Sequence, residues 1–192
     1  GYYTWISNVN YILAEEETMS GSETEKNYVL GQAYAVRAYS YFMLAQMFSR
    51  TYKGHESEPC VPLYTEPTDI ATEGKGRATV EEVYQQITSD LDKAITMLGN
   101  SGKRKHIRHI NEAVASGIKA RVALVMEDWQ TALDAANAAI SKSGCSIGTG
   151  TAVTGGMNDA TANNVMWAAE IIADQSGICL LYTSPSPRDI SG

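Results

Sequence analysis

Apolar residues recur every three or four positions over most of the chain, the spacing that places them on one side of an α-helix. In the first such segment they include Trp5, Val9 and Leu13. The same pattern predicts five helices, over Thr4–Met19, Thr24–Ser49, Thr79–Leu98, Asn111–Val125 and Asp128–Ile140. Joined by two long loops, these helices indicate an all-α fold.

Capping residues mark where three of these helices begin. Thr79 is followed three positions later by Glu82, which fits a capping box in which each residue bonds the other's backbone N–H. Asn111 and Asp128 each precede an apolar helical run and carry a side-chain oxygen suited to an N-cap. Gly99 is a plausible helix stop, since glycine favours helix C-termini.

Two segments interrupt the helical pattern. Between Arg50 and Arg77 the periodicity disappears, and Pro59, Pro62 and Pro67 lie among glycines and threonines. Proline cannot donate a backbone hydrogen bond, so this segment is predicted to be an extended excursion rather than a helix. After Gly144 the chain becomes rich in Gly, Thr and Asn and has no helical period.

Small residues occur where neighbouring helices would need to touch. If Ala113 is taken as the first position of a unit that ends at Ile140, then Ala120, Ala132 and Ala139 occupy the eighth, twentieth and twenty-seventh positions. Tetratricopeptide hairpins require small side chains there, because their two antiparallel helices meet at these positions.

The two preceding helices predict a second hairpin of the same type, in which the Pro-rich excursion enlarges the turn. Its first helix carries Gly31, Ala35, Ala38 and Ala45, which would permit close approach of a neighbouring helix. Two hairpins are fewer than the three or so repeats that usually bury such a surface, so we expect further sequence to cover the remainder.

Composition and charge exclude several classes of protein. The 192 residues are 44% hydrophobic, and 15 Lys and Arg face 22 Asp and Glu, which gives a net charge of -7. This balance argues against nucleic-acid binding, which depends on cationic side chains that neutralise phosphates. No apolar run approaches the roughly 18 residues that a membrane-spanning helix requires.

The ends of the sequence do not have the features of natural ends. The chain opens at Gly1 without an initiator Met, and Cys179–Asp189 is similar to a translated sequencing adapter. We therefore expect residues 1–176 to be one helical region truncated at both ends, and residues 177–192 to be a non-native tail. A genuine Ser/Pro-rich tail is the alternative.

A collinear series of short motifs runs along the predicted helices. In chain order they are Trp5-x4-Asn10-x-Ile12-Leu13, Gly31-Gln32-Ala33-x3-Arg37-Ala38-x2-Tyr41-Phe42-x-Leu44, Pro62-Leu63, Arg77-Ala78-Thr79-Val80-x2-Val83-Tyr84-x2-Ile87-x2-Asp90-Leu91-x2-Ala94, and Ala120-Arg121-Val122-x-Leu124 with Asp128-Trp129-x2-Ala132. This series resembles the SusD/RagB family of outer-membrane nutrient-binding lipoproteins, with Gln32 where the family usually has Glu.

The resemblance implies a tetratricopeptide-like scaffold, of which this chain is part of an incomplete SusD-like domain. It also implies a lipid anchor at the outer face of a Bacteroidetes outer membrane. There the protein would capture glycans, or other nutrient oligomers, for a SusC-like TonB-dependent transporter. The resemblance implies no cofactor and no enzymatic activity.

Tyr3, Trp5 and Asn10 are the best local candidates for contacts with a glycan. Aromatic faces cover the apolar C–H side of a sugar ring, and amides or carboxylates satisfy its hydroxyl groups. The alternative for Trp5 is a core position, since its spacing is helical and aromatic residues are generally buried. The alternative for Asn10 is a structural hydrogen bond within the helical bundle.

Two groups of charged residues have a structural and a functional interpretation. The basic segment Lys103–His109 is interpreted as a solvated loop between helices, with anion or nucleic-acid binding as the alternative. Arg37, in the middle of a helix among tyrosines, is expected to pack on aromatic faces beside a buried polar partner. Binding of a ligand carboxylate is the alternative for Arg37.

The sequence contains no recognisable catalytic, metal-binding or cofactor-binding motif. Cys60 and Cys145 are interpreted as isolated thiols, and His106 and His109 lack a third ligand nearby in the sequence. The predicted function is therefore non-catalytic capture of glycans, with neither a metal nor a cofactor. The alternative is a soluble tetratricopeptide-type adaptor that binds protein partners, which the long Pro-rich excursion argues against.

Overall fold

A computed structural model of the protein describes residues 1–150, 154 and 159–169. This part of the chain contains five long helices and one two-stranded antiparallel sheet: α1 Tyr2–Ala14, α2 Glu23–Phe48, β1 Pro59–Pro62, β2 Arg77–Thr79, α3 Val80–Gly99, α4 Glu112–Val125 and α5 Trp129–Ser143. All five predicted helices are present, which confirms the all-α assignment. The small sheet was not predicted.

The boundaries of α1 and α3 differ slightly from the prediction. The first helix ends at Ala14 rather than Met19, and Glu15, Glu16 and Glu17 follow in a turn. Three carboxylates at a helix C-terminus are repelled by the partial negative charge of the helix dipole, which disfavours continuation. Gly99 is the last residue of α3 rather than the residue after it.

Side-chain caps begin four of the helices. The hydroxyl of Thr79 accepts a hydrogen bond from the backbone N–H of Glu82 at 3.1 Å, and the Glu82 carboxylate accepts one in return, so the predicted capping box is confirmed. Asn111 and Asp128 cap α4 and α5 as predicted. A further capping box, not predicted, begins α2 at Ser22.

The helices pair into two antiparallel hairpins, α2 with α3 and α4 with α5. The four alanines that identified the second hairpin are all buried: Ala113, Ala120, Ala132 and Ala139. In the first hairpin, Ala35, Ala38 and Ala45 of α2 are completely buried. The tetratricopeptide-like arrangement predicted from the spacing of small residues is therefore confirmed.

Gly31 lies where α2 crosses the end of α3. A Cβ atom added there would come within 2.7 Å of Leu98 Cγ and 3.2 Å of Met97 Cβ. These distances are shorter than van der Waals contact, so any larger residue would push the two helices apart. Glycine at this position sets the spacing of the first hairpin.

The excursion between α2 and α3 folds back onto the first hairpin. Its two strands pair Pro59 with Thr79 and Pro62 with Arg77. The Arg77 guanidinium donates to the carbonyls of Cys60 and Pro59 at 2.6 and 2.8 Å. The two paired strands thereby cover Cys60, whose side chain is fully buried.

A buried ion pair connects α2 to α3. Arg37 donates from Nε and Nη2 to both carboxylate oxygens of Asp90, at 2.7 and 2.8 Å. Its Nη1 donates to Asn10 Oδ1 of α1 at 2.9 Å and to the carbonyl of Thr65 at 3.1 Å. The guanidinium also lies 5.4 Å from the centre of the Tyr34 ring. The expected packing of Arg37 on an aromatic face beside a buried polar partner is confirmed.

Two further expectations from the sequence concern the C-terminal tail and the absence of a membrane-spanning helix. The proposed non-native tail, residues 177–192, lies outside the described residues. Within the described residues, none of the helices combines the length and apolar character needed to cross a bilayer.

Gly31→Ala is expected to lower the free energy of unfolding by about 1–3 kcal/mol, because the added methyl group overpacks the contact with Leu98. Gly117→Ala is the matched control within α4. There the new Cβ would meet atoms no closer than 3.9 Å, so the higher helix propensity of alanine should stabilise the protein by up to about 1 kcal/mol. Urea denaturation of both variants measures the difference, and equal effects would contradict the tight contact.

Arg37→Met is expected to lower the free energy of unfolding by about 3–5 kcal/mol, because it leaves the Asp90 carboxylate buried without a cation. The double variant Arg37→Met/Asp90→Leu should recover part of this loss, since it also removes the uncompensated charge. Chemical denaturation of the three proteins tests this, and a single variant that costs less than about 1 kcal/mol would refute the assignment.

Candidate functional site

The two predicted aromatic contacts on α1 lie on opposite sides of the helix. Residues two positions apart in an α-helix are rotated by about 200°, so Tyr3 and Trp5 cannot face the same ligand. Asn10 is seven positions, or about two turns, from Tyr3 and shares its side. The structure therefore brings Tyr3 and Asn10 together and separates Trp5 from both.

On the side of Tyr3, α1 and the excursion enclose a small polar pocket of about 270 Å³. Its lining residues are Tyr3, Ile6, Ser7, Asn10, Tyr64, Thr68, Asp69 and Thr72. The Tyr3 hydroxyl donates to the carbonyl of Pro62 at 2.8 Å. Burial raises the pKa of the Tyr3 phenol to about 12, with smaller contributions from Tyr64 and Cys60.

Asn10 is buried and lines this polar pocket, and its amide is engaged by the protein itself. Its Nδ2 donates to the carbonyls of Tyr64 and Glu66, both at 3.0 Å, while its Oδ1 accepts from Arg37. These bonds fasten the excursion to α1. The structural hydrogen bond considered as the alternative for Asn10 is present.

On the side of Trp5, a larger depression lies between α1, α2 and the segment that follows α5. This aromatic groove has a volume of about 550 Å³ and is lined by Trp5, Asn8, Val9, Val36, Tyr39, Ile110, Trp167 and Ala169. Trp5 is 50% exposed and Trp167 is 39% exposed. The core position considered as the alternative for Trp5 is therefore wrong.

Two aromatic contacts hold the rings that border the aromatic groove. Tyr39 meets Trp167 edge to face, with ring centres 5.8 Å apart. Tyr2 meets Trp5 in the same manner at 5.4 Å. Edge-to-face pairs of this kind fix ring orientation while leaving part of each indole open to a ligand.

Sequence reasoning missed Trp167. The residue lies in an aperiodic stretch rich in Gly, Thr and Asn, and no local spacing connects it to Trp5. Tertiary contacts place it, because its Nε1 donates to the backbone carbonyl of Arg108 at 2.9 Å. In addition, Arg104 Nη1 donates to the carbonyl of Met166 at 2.7 Å.

The basic loop, residues 103–109, is thus a support for the aromatic groove as well as a connection between α3 and α4. Tyr28 of α2 anchors it: the backbone N–H of Lys105 donates to the Tyr28 hydroxyl at 3.1 Å. The Tyr28 oxygen lies 2.6 Å from His109 Nδ1, and we assign the O–H as donor and Nδ1 as acceptor. The expectation of a merely solvated loop is incomplete.

Partial burial, together with the nearby charges of Arg108, His106, Arg104 and Lys105, lowers the pKa of His109. Each of these effects disfavours the imidazolium form. The neutral ring is the form that accepts from Tyr28, so the hydrogen bond and the lowered pKa agree.

Side chains that could ligate a metal, and the two described thiols, are dispersed in the described part of the chain. Among these residues, no group of three or more His, Cys, Asp or Glu side chains is placed to hold a metal ion. Cys60 and Cys145 are free thiols. The arrangement best suits non-covalent binding, in which indole faces and the Asn8 amide contact a ligand that has both apolar and polar faces.

Comparison with known families gives one match over most of the chain. A SusD-like family, described as starch-binding and associating with the outer membrane, matches residues 1–124. No curated protein matches the sequence.

Solved structures of this superfamily share the fold. A SusD-like carbohydrate binding protein from Bacteroides vulgatus is 28% identical, with a TM-score of 0.84 over 91% of this chain and 37% of its own. NanU from Bacteroides fragilis is 26% identical, with a TM-score of 0.72 over 90% and 34% of the two chains. A superfamily member from Bacteroides thetaiotaomicron, 23% identical and with a TM-score of 0.82, agrees in fold. The chain spans less than two fifths of the length of these relatives.

Stability is expected to fall as the pH drops below about 6.5, the ordinary pKa of histidine in an unfolded chain. Because the pKa of His109 is lower in the folded protein, the unfolded state binds more protons in the interval between the two values. Denaturation across this pH range, with His109→Gln as the comparison, should show a smaller pH dependence in the variant. An NMR titration that places the pKa of His109 at or above 6.5 would contradict the prediction.

Proposed function

The chain belongs to the SusD-like family, described as starch-binding and associating with the outer membrane, and from this premise we propose that it captures glycans without catalysis in the aromatic groove. The observation that carries the proposal is the pair of exposed indoles, Trp5 and Trp167, on one groove. They come from segments 162 positions apart in the sequence. A ring contact with Tyr2 supports Trp5, whereas a hydrogen bond to the Arg108 carbonyl and a ring contact with Tyr39 support Trp167.

The chemistry of the aromatic groove matches that of a sugar ring. A pyranose has apolar C–H faces that pack on an indole and equatorial hydroxyls that need hydrogen-bond partners. Trp5 and Trp167 provide the faces, and the exposed amide of Asn8 provides both a donor and an acceptor at the groove. Because the rings are already oriented, binding requires little additional ordering of side chains.

Of the three residues predicted from the sequence, we propose Trp5 as the direct contact in the aromatic groove. Tyr3 would contact a ligand only in the separate polar pocket, where its ring also packs against Tyr64 at 6.2 Å. Asn10 would act indirectly, by holding the excursion that forms the wall of that pocket.

We further propose that the protein works at the outer membrane, held by a lipid anchor, and delivers its ligand to a SusC-like TonB-dependent transporter. The family description supports the association with the outer membrane. Long-read sequencing of the natural gene tests the remainder, and a lipoprotein leader with an adjacent transporter gene would support it. Co-purification of the two encoded proteins would support the partnership. A gene without a lipoprotein leader would refute the anchor.

The same sequencing tests the proposed boundaries. We propose that residues 1–176 belong to a longer SusD-like domain and that residues 177–192 are not native. The low coverage of the longer relatives supports the first part. A natural gene that encodes residues 177–192 in frame would refute the second.

The alternative function, an adaptor that binds protein partners, is favoured by one observation. The outer side of α5 exposes Trp129, Leu133 and Ile140, an apolar surface suited to another polypeptide. In the longer relatives further chain is available to cover such a surface, so glycan capture accounts for more of the observations.

Trp5→Ala and Trp167→Ala are each expected to weaken binding of a maltooligosaccharide about tenfold, the effect of losing one aromatic stacking contact. Isothermal titration calorimetry measures the change. Trp129→Ala is the matched control, because Trp129 is 64% exposed at the start of α5 in the second hairpin and does not line the aromatic groove. If all three variants bind equally well, the aromatic groove is not the glycan site.

A further inference from the structure

Cationic side chains are concentrated beside the aromatic groove. Four of the chain's 15 Lys and Arg residues lie within the basic loop, although the whole chain carries a net charge of -7. Such a local reversal of sign attracts anions to one place on the surface.

Arg108 lies at the rim of the aromatic groove. Its carbonyl is 2.9 Å from the indole nitrogen of Trp167, and Ile110, two positions later, lines the groove itself. The Arg108 side chain is exposed, and it branches from the same residue whose carbonyl accepts the hydrogen bond of the indole. An arginine is long enough to reach a substituent on a sugar that packs against Trp167.

Three of the four cations at this rim have no carboxylate partner among the described residues. In the part of the chain that the structure describes, no carboxylate lies within ion-pair distance of Lys103, Lys105 or Arg108. Glu25 feels one of these cations, since the charge of Lys105 contributes, after the hydrogen bonds from Ser22, to lowering the pKa of Glu25. Arg104 differs, because its guanidinium is occupied by backbone carbonyls, including that of Met166.

The basic loop is also held in one conformation. Tyr28 bonds both Lys105 N–H and His109, and Arg104 bridges to the carbonyls of His109 and Met166. A cation on a fixed loop loses less conformational entropy on binding than one on a mobile loop. Arg108 is therefore better suited to anion recognition than a lysine on an unconstrained turn.

Building on the proposed function, we propose that the aromatic groove selects an anionic glycan, one whose sugars carry carboxylate or sulfate groups. Arg108 binds the charged substituent, because a guanidinium matches the paired oxygens of a carboxylate or sulfate. Trp5 and Trp167 hold the apolar faces of the adjoining sugar ring. A neutral glucan would use the indoles alone.

The acidic character of the rest of the surface limits this recognition to the rim. A long polyanion such as a nucleic acid would meet repulsion beyond the basic loop, because the chain as a whole carries a net charge of -7. A short acidic oligosaccharide places its charge beside Arg108 and its rings in the groove.

The test compares three probes of equal length on the 192-residue chain by calorimetry: a maltooligosaccharide, an oligogalacturonate and a sulfated oligosaccharide. At low ionic strength at least one anionic probe should bind about fivefold more tightly than the neutral probe, the strength of one well-placed exposed ion pair. High salt should reduce this preference. Arg108→Gln should abolish it, whereas Lys53→Gln, which removes a cation from the turn after α2, should leave it unchanged.

The outcomes separate the two proposals. Preference for only the carboxylated or only the sulfated probe would support the inference and identify the group recognised. Equal binding of all three probes, with weakened binding in Trp5→Ala, would overturn the anionic selectivity and leave glycan capture standing. If Arg108→Gln and Lys53→Gln reduce the preference for anionic probes equally, that preference reflects only overall charge, and the proposed selectivity at Arg108 is overturned. No change for any probe in Trp5→Ala or Trp167→Ala would overturn both proposals.

Discussion

The buried ion pair between Arg37 and Asp90 organises the packing of α1, α2, α3 and the excursion. A charged guanidinium is costly to bury unless its donors are satisfied, and here two go to the carboxylate of Asp90. The Nη1 amino group of Arg37 donates to both Asn10 Oδ1 and the backbone carbonyl of Thr65. One side chain thereby joins α1, α2, α3 and the excursion.

This network explains why α1 can carry two different surfaces. Asn10 fixes one side of the helix against the excursion, so the rotation of α1 about its axis is set. With that rotation fixed, Trp5 must point away from the polar pocket and toward Tyr39 and Trp167. The orientation of Trp5 in the aromatic groove thus depends on a buried polar contact on the other side of the same helix.

Different groups of the basic loop serve two purposes: some position Trp167, and others place positive charge beside the aromatic groove. Backbone carbonyls and the guanidinium of Arg104 position Trp167, which completes the aromatic groove. The side chain of Arg108 remains outside, exposed at the same rim. Support of the groove and presentation of charge therefore do not compete, since the first uses mainly main-chain groups and the second uses the exposed side chain of Arg108.

The amino-acid sequence alone specifies the helices, their caps and their pairing, because these depend on spacings of a few residues: Thr79 with Glu82, or Ala132 with Ala139. It also indicated the family and one wall of the groove, through Trp5. That Tyr3 and Trp5 face apart follows from the helical period once α1 begins at Tyr2, but the meeting of Trp167 with Trp5 depends on tertiary packing. Contacts between segments more than a hundred residues apart leave no local period, so no pattern within a single helix could reveal them.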